Sequence, residues 1–235
     1  MADASNAFWL ALKLVFALDP DLMEIVLLSL KVSFSAVIIA CLLGMPLGAL
    51  LAISRLPGRQ LLISIVNALM GLPPVVVGLA VYLALSRSGP LGVFGLLYTP
   101  TAMIIAQSLL VLPIVAALTR QTIEDLNAEY DEYLRSLDLG LRHRLSTLLW
   151  DGRASLATAA IAGLGRAIAE VGAVIIVGGN IDHVTRVMTT AIALETSKGD
   201  LALALALGLV LMFIALALNA IVELLRTGAA RKLHV

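Results

Sequence analysis

The sequence predicts an all-α integral membrane protein with five transmembrane helices, preceded by a short interfacial N-terminal helix. Three observations carry that prediction. Hydrophobic residues make up 60% of the 235-residue chain and charged residues only 14%, with a mean hydropathy of +1.02, far outside the range of soluble proteins. Five apolar runs, at about 25–53, 61–86, 98–119, 155–178 and 201–223, each reach the roughly 20 residues a helix needs to cross a bilayer. Lysine and arginine fall between these runs in alternating abundance, as they do when successive loops face opposite sides of a membrane. The formal charge is zero, with 16 basic and 16 acidic side chains, so net charge gives no argument for a nucleic-acid partner.

The first element is Ala7 to Leu18, AFWLALKLVFAL, too short to span and ending at the turn signal DPD. With Lys13 in its middle and Trp9 and Phe16 as anchors, it reads as a helix lying in the interface. A cleaved signal peptide fits less well, since Asp3 stands where a basic region belongs. The first span carries GMPLG, Gly44 to Gly48, and the second GLPPVVVG, Gly71 to Gly78, with Pro73 and Pro74 adjacent. Proline removes a backbone donor and glycine permits close helix approach, so both places are expected to be bent and packed within protein.

Orientation follows from the basic residues. Arg55 and Arg59 follow the first span; Arg120, Arg135, Arg142, Arg144 and Arg153 follow the third; Arg226, Arg231 and Lys232 follow the fifth. These three segments are expected in the cytoplasm, which puts the N-terminus outside and the C-terminus inside. The opposite side keeps Lys13, Arg87, Arg186 and Lys198, with Lys31 near the start of the first span.

Between the third and fourth spans, residues 121–153 are polar enough to leave the membrane yet helical in their spacing. Leu126, Tyr130, Tyr133, Leu134 and Leu137 recur at steps of three and four, and a second series, Leu141, Leu145, Leu148 and Leu149, begins beyond Gly140. Two short helices joined by a glycine turn would offer a rigid knob to a soluble partner.

The fourth span holds the least expected residues. In GRAIAEVGAVIIVGGN, Arg166 and Glu170 stand four apart in a run otherwise suited to lipid. Charges there need a structural or functional reason. Two readings stay open: a mutual ion pair that braces the helices, or an Arg166 that lines a path and offers transient charge to an anion, with Glu170 limiting how tightly it is held. Other polar residues are less informative. Cys41 reads as a small packing residue, His183 beside Asp182 as an exposed loop residue or a ligand, and His143 as part of the basic cluster at Arg142 to Arg144. No metal site or cofactor is expected. No glycine-rich nucleotide loop with lysine occurs, so the chain is expected to be a non-catalytic subunit that does not hydrolyse ATP by that route.

The segment Glu132-Tyr133-Leu134-Arg135-Ser136-Leu137-Asp138-Leu139-Gly140 resembles the EAA loop of permease subunits of ABC importers, with Tyr133 and Leu134 in place of the two alanines and Asp138 where a glycine is usual. Its place between the third and fourth spans is that of type I importers. The motifs GLPPVVVG, SRSGPLG, GRAIAEVGAVIIVGGNI and TRVMTTAIALE are similar to those of permeases for tetrahedral oxyanions (molybdate, tungstate and sulfate), and MGLPPVVVGLAVYL, GLLYTPTAMIIAQ and AEVGAVIIVGGNIDH most resemble the tungstate permeases. The resemblance implies the type I ABC importer permease fold: an N-terminal interfacial segment at 1–21, the transmembrane domain at 22–225, and a cytoplasmic tail at 226–235. It implies ATPase coupling through Glu132, Tyr133, Leu134, Asp138, Leu139 and Gly140, and a translocation path or helix brace involving Arg166, Glu170, Pro73, Pro74 and Asn180. The implied partners are two cytoplasmic ATP-binding subunits, an extracytoplasmic oxyanion-binding protein, a second copy of the chain and the lipid bilayer of the cell's inner or plasma membrane. A permease for another oxyanion such as sulfate is the alternative within the family. A secondary transporter would be expected to show internal repeats and more buried acids, and an intramembrane enzyme a cluster of nucleophile and base; neither is apparent.

Overall fold

A computed structural model describes the backbone of residues 2–54, 57–136 and 140–232, and their side chains except those of 2–5, 135 and 225–232. Among the described residues the ordered elements are all helical: α1 (Ala2–Phe16), α2 (Pro20–Ile53), α3 (Arg59–Met70), α4 (Pro74–Leu85), α5 (Pro100–Glu129), α6 (Asp131–Ser136), α7 (Leu141–Asp151), α8 (Arg153–Ile168), α9 (Gly172–Gly178), α10 (Met188–Lys198) and α11 (Leu201–Lys232), with a 3-10 turn at Gly92–Phe94. Segments Pro20–Ile53, Pro100–Glu129 and Leu201–Leu224 are each long and apolar enough to cross a membrane. The pairs α3 with α4 and α8 with α9 pass the same test only across a break. Counting each pair as one span gives the five expected.

The DPD signal ends the first helix. Leu18 takes a positive φ of 51°, and Asp19 Oδ1 accepts hydrogen bonds from the backbone N–H groups of Asp21 and Leu22 at 3.1 and 3.2 Å. Pro20 then opens α2 at the position where its missing N–H costs nothing.

The two proline-containing motifs behave differently. At GMPLG, α2 runs unbroken through Pro46. At GLPPVVVG the helix stops: Pro73 is extended, with φ −61° and ψ 126°, and Pro74 starts α4. The residue before a proline is driven out of the helical region, and here Pro73 is itself such a residue.

The chain divides into two compact units. The first comprises Met1–Ala36, Pro73–Gln107 and Gly165–Asn219, and the second Val37–Leu72, Ser108–Leu164 and Ala220–Val235. Inside the first, α4 lies against α9 so closely that a Cβ on Gly78 would come within 2.7 Å of Ala173 Cα. Inside the second, α2 lies against α5 through Gly44 and Gly48: a Cβ on Gly48 would sit 2.2 Å from Ala116 O, and one on Gly44 3.1 Å from Leu112 O. The two glycines are one turn apart, and small residues at that spacing let helices meet backbone to backbone.

The segment after the third span differs from its expected outline in one respect. The helix carrying Leu126 is not a new element but the end of α5, which continues to Glu129 before a turn at Tyr130 and the short α6. The second leucine series forms α7 as expected. Leu137, Asp138 and Leu139, where the first helix was expected to end, lie outside the described residues. The separate α10 was not anticipated, because TRVMTTAIALE is apolar but too short to read as a span.

Candidate functional site

Arg166 and Glu170 do not share one helix face, because the helix breaks between them. Arg166 lies in the last turn of α8, which ends at Ile168, and Glu170 stands in the gap before α9. A cation at a helix C-terminus and a carboxylate at a helix N-terminus both suit the macrodipole, so RAIAEVGA encodes a break as well as an ion pair. Arg166 Nη1 donates to Glu170 Oε2 at 2.5 Å, and Glu170 Oε1 accepts from the backbone N–H of Ala173 at 3.1 Å. Both carboxylate oxygens are therefore used. The Glu170 side chain is 4% exposed and that of Arg166 36%.

A break inside an apolar bundle frees backbone groups that lipid cannot satisfy. Here side chains recover them. Gln107 Nε2, from α5, donates to Ala167 O at 3.0 Å, and Thr189 Oγ1, from α10, donates to Glu170 O at 2.7 Å. The start of α4 adds packing: a Cβ on Gly172 would lie 2.8 Å from Val75 Cγ2, so Pro73 and Pro74 stand beside the break through the residue that follows them. Ser29, Ser33, Gln107, Glu170 and Thr189 also line a cavity of about 10 Å³ with Val32, Ile168 and Val187. That space is of the order of one water molecule and too small for a tetrahedral oxyanion.

Asn180 lies at the other end of α9. It follows Gly179 in the left-handed region, with φ of 51°, and its Nδ2 makes a long contact of 3.4 Å with Thr190 O. Asparagine is among the few residues that adopt this conformation readily, so the turn explains its presence there. The loop beyond is tied within itself: Thr185 Oγ1 donates to Gly178 O at 2.6 Å and accepts from Ile181 N at 2.9 Å. His183, with φ of 54°, reaches Glu24 Oε2 through Nδ1 at 2.8 Å. That hydrogen bond first, then the charges of Glu24 and Asp182, hold the imidazole pKa above its ordinary value.

The 121–153 segment forms a second candidate site. Leu134 is buried with Ala49, Ala52, Ile123 and Leu148, and Ile53, Leu126, Tyr130, Leu145 and Leu149 pack around them. Arg144 fastens α7 to the end of α5, donating to Asn127 Oδ1 at 2.8 Å and to Asp131 Oδ1 at 3.2 Å. Glu132, Tyr133, Leu141 and Trp150 are exposed, the tyrosine 65% and the tryptophan 69%. Gly140 caps α7 at φ −61° with open space around it, so neither backbone nor packing demands glycine there. Asp138 and Leu139 lie outside the described residues.

Sequence reasoning missed Gln107, Thr189 and a cluster at Arg59, Arg120 and Glu124. Arg59 and Arg120 each form an ion pair with Glu124. The Arg120–Glu124 half has a legible four-residue spacing. Arg59 has no sequence signal, because it lies 65 residues from its partner.

Residues 44–233 match the family described as binding-protein-dependent transport system inner membrane component. The chain belongs to that family. Among relatives of this inner membrane component, the tungstate uptake system permease protein of Peptoclostridium acidaminophilum is 42% identical over 218 residues, 93% of this chain and 96% of its own. A tungstate uptake system permease protein of Campylobacter jejuni is 44% identical over 162 residues, 69% of this chain and 68% of its own. The molybdenum transport system permease protein of Escherichia coli K12 is 27% identical over 192 residues, 77% of this chain and 83% of its own. The expected all-helical permease fold and multi-pass membrane character are those of the family, and the likeness to tungstate-type permeases extends over most of the chain.

Proposed function

We propose that the chain is the permease subunit of an ATP-driven importer, and that its cargo is tungstate. The observation that carries the reading is the 42% identity to a tungstate uptake permease across 93% of the chain, against 27% to the molybdenum permease. The apolar spans supply the barrier and the chain carries no nucleotide loop, so the driving energy enters through another subunit. The exposed residues of α6 and α7, with Glu132, Tyr133 and Gly140, are the docking surface for a cytoplasmic ATP-binding subunit, two of which serve the pair of chains, and Leu134 holds that surface from within. In this reading the N-terminus is outside and the C-terminus cytoplasmic, an extracytoplasmic oxyanion-binding protein delivers the anion, and two copies of the chain enclose the path.

Glu170 serves as the brace of the α8–α9 break, since both its oxygens are engaged and the adjoining cavity cannot hold the anion. Arg166, a third exposed, is the part of the pair that a passing anion can touch. Pathways need such weak attraction, because a site that binds tightly does not conduct.

The test is uptake of labelled tungstate into proteoliposomes holding the permease with its ATPase subunits and receptor. Uptake is expected to need ATP and to be inhibited more by unlabelled tungstate than by molybdate or sulfate. Uptake without ATP would replace this reading with a secondary transporter, and preferential inhibition by sulfate would replace the cargo.

A further inference from the structure

Arg59 is the first residue of α3, where a positive charge opposes the helix dipole. Its side chain explains why it stands there. Nε donates to Leu51 O at 2.6 Å and Nη2 to Ala52 O at 3.3 Å, so the guanidinium covers carbonyls that α2 leaves open at its C-terminal end. The same Nη2 bonds Glu124 Oε1, while Arg120 Nη1 takes the other oxygen, Oε2. One carboxylate is thus held between two guanidiniums, one from α3 and one from its own helix. A turn or more below, Gly44 and Gly48 press α2 onto the Leu112 to Arg120 stretch of α5. Above, Arg144 ties α7 to Asn127 and Asp131, and Ile123, Leu134 and Leu148 share an apolar cluster with Ala49 and Ala52 of α2. These contacts connect α7 to the first turn of α3 through α5 and the end of α2.

We propose that Glu124, clamped by Arg59 and Arg120, is a positioning residue for energy coupling: it makes α6, α7, the end of α2 and the start of α3 move as one body. A push on α6 and α7 then reaches α3, whose far end is the break before Pro73. Arginine suits the post because its planar fork serves two carbonyls and a carboxylate together, which a lysine ammonium cannot. The proposal rests on the reading that the 121–153 segment receives the ATPase subunits.

The experiment uses the assembled transporter in proteoliposomes, with Glu124→Gln and Arg59→Lys beside the wild type. Tungstate imported per ATP hydrolysed is measured at matched content of ATPase subunit. The Gln variant is expected to keep receptor-stimulated ATPase activity while its uptake per ATP falls about three- to tenfold, and the Lys variant should fall between. A second measurement uses spin labels at Ser64 of α3 and Ser146 of α7, on a Cys41→Ala background. With one labelled chain per pair, the wild type should give one distance that nucleotide does not change, and Glu124→Gln a broadened one that it does. An unchanged uptake per ATP in Glu124→Gln, loss of the ATPase subunit from that variant, or a wild-type distance that shifts with nucleotide would each overturn the proposal. A wild type without ATP-driven uptake would instead remove the reading beneath it, and the label distances would still decide whether the clamp joins α3 to α7.

Discussion

Two ion-pair clusters in this protein use the same chemistry for opposite purposes. Arg166 and Glu170 are joined across a gap where a helix has been opened, and the bonds around them keep it open. Arg59, Glu124 and Arg120 join elements into one piece. The first cluster has a buried acid, 4% exposed, and takes its help from neutral side chains, Gln107 and Thr189. The second is about a third exposed at Arg59 and Glu124 and takes its help from a second arginine. The difference teaches that charge within a membrane protein is not diagnostic of a path. What decides its role is whether the backbone around it is continuous.

The largest effect should come from removing the acid at the open gap. Glu170→Ala strands Arg166 and leaves Ala173 N without its acceptor, and breaking a buried pair of this kind costs about 3 kcal/mol or more. Glu170→Gln keeps one accepting oxygen, enough for Ala173 N, while its NH2 cannot accept from Arg166, so it should lose less than the alanine variant, about 1–2 kcal/mol. The exchange Arg166→Glu with Glu170→Arg should resemble the alanine variant, because an arginine cannot accept from Ala173 N. Thermal unfolding of purified protein in detergent orders the three. Full recovery by the exchange would mean that the pair is a simple brace and the cap immaterial.

A smaller but sharper contrast lies in the glycines. Gly48→Ala puts a methyl 2.2 Å from Ala116 O and should cost about 1–3 kcal/mol through forced separation of α2 and α5. Gly140→Ala meets open space at an ordinary φ and should leave stability unchanged. If Gly140→Ala nonetheless impaired ATPase binding, the effect would belong to the docked partner and not to this fold. Equal stability of the two variants, by the same unfolding measurement, would show that the α2–α5 contact is softer than its geometry.

The smallest expected effect is at His183, outside both clusters. Its pKa is raised in the folded protein, so the bond to Glu24 contributes stability that is fully present below the unfolded value of about 6.5 and is lost as pH rises through the folded value. Asp182, Asp21 and Arg186 face the same small cavity and set the field around it. The unfolding midpoint of wild type minus that of His183→Gln should shrink as pH rises across this window. A constant difference would mean that the contact is a neutral hydrogen bond.

The reach of the sequence follows from distance along the chain. The apolar runs, the DPD stop and the leucine series of α7 were legible because each is a pattern within a few residues of itself. The four-residue spacing of Arg166 and Glu170 gave the bond correctly but implied a continuous helix, since spacing alone cannot reveal that Gln107 and Thr189 stand ready to satisfy an opened backbone. The two proline motifs looked alike as letters. Pro46 sits in a helix held on both sides by glycine contacts to α5, whereas Pro73 is itself followed by proline and has no helical option. The clamp at Glu124 was half visible through Arg120 and invisible through Arg59. Tyr133 and Leu134 were grouped as one docking motif, and only burial separates the exposed tyrosine from the leucine that anchors it.

The order of synthesis gives the α8–α9 gap a timetable. Gln107 emerges from the ribosome 60 residues before Ala167, but Thr189 comes 19 residues after Glu170. While the segment around Glu170 first enters the membrane, its carbonyl at that position has no hydroxyl to receive. Arg166, by contrast, arrives four residues ahead in the same segment. Of the side-chain partners that the Glu170 carboxylate has in the folded chain, Arg166 is the one already present when that carboxylate enters the membrane.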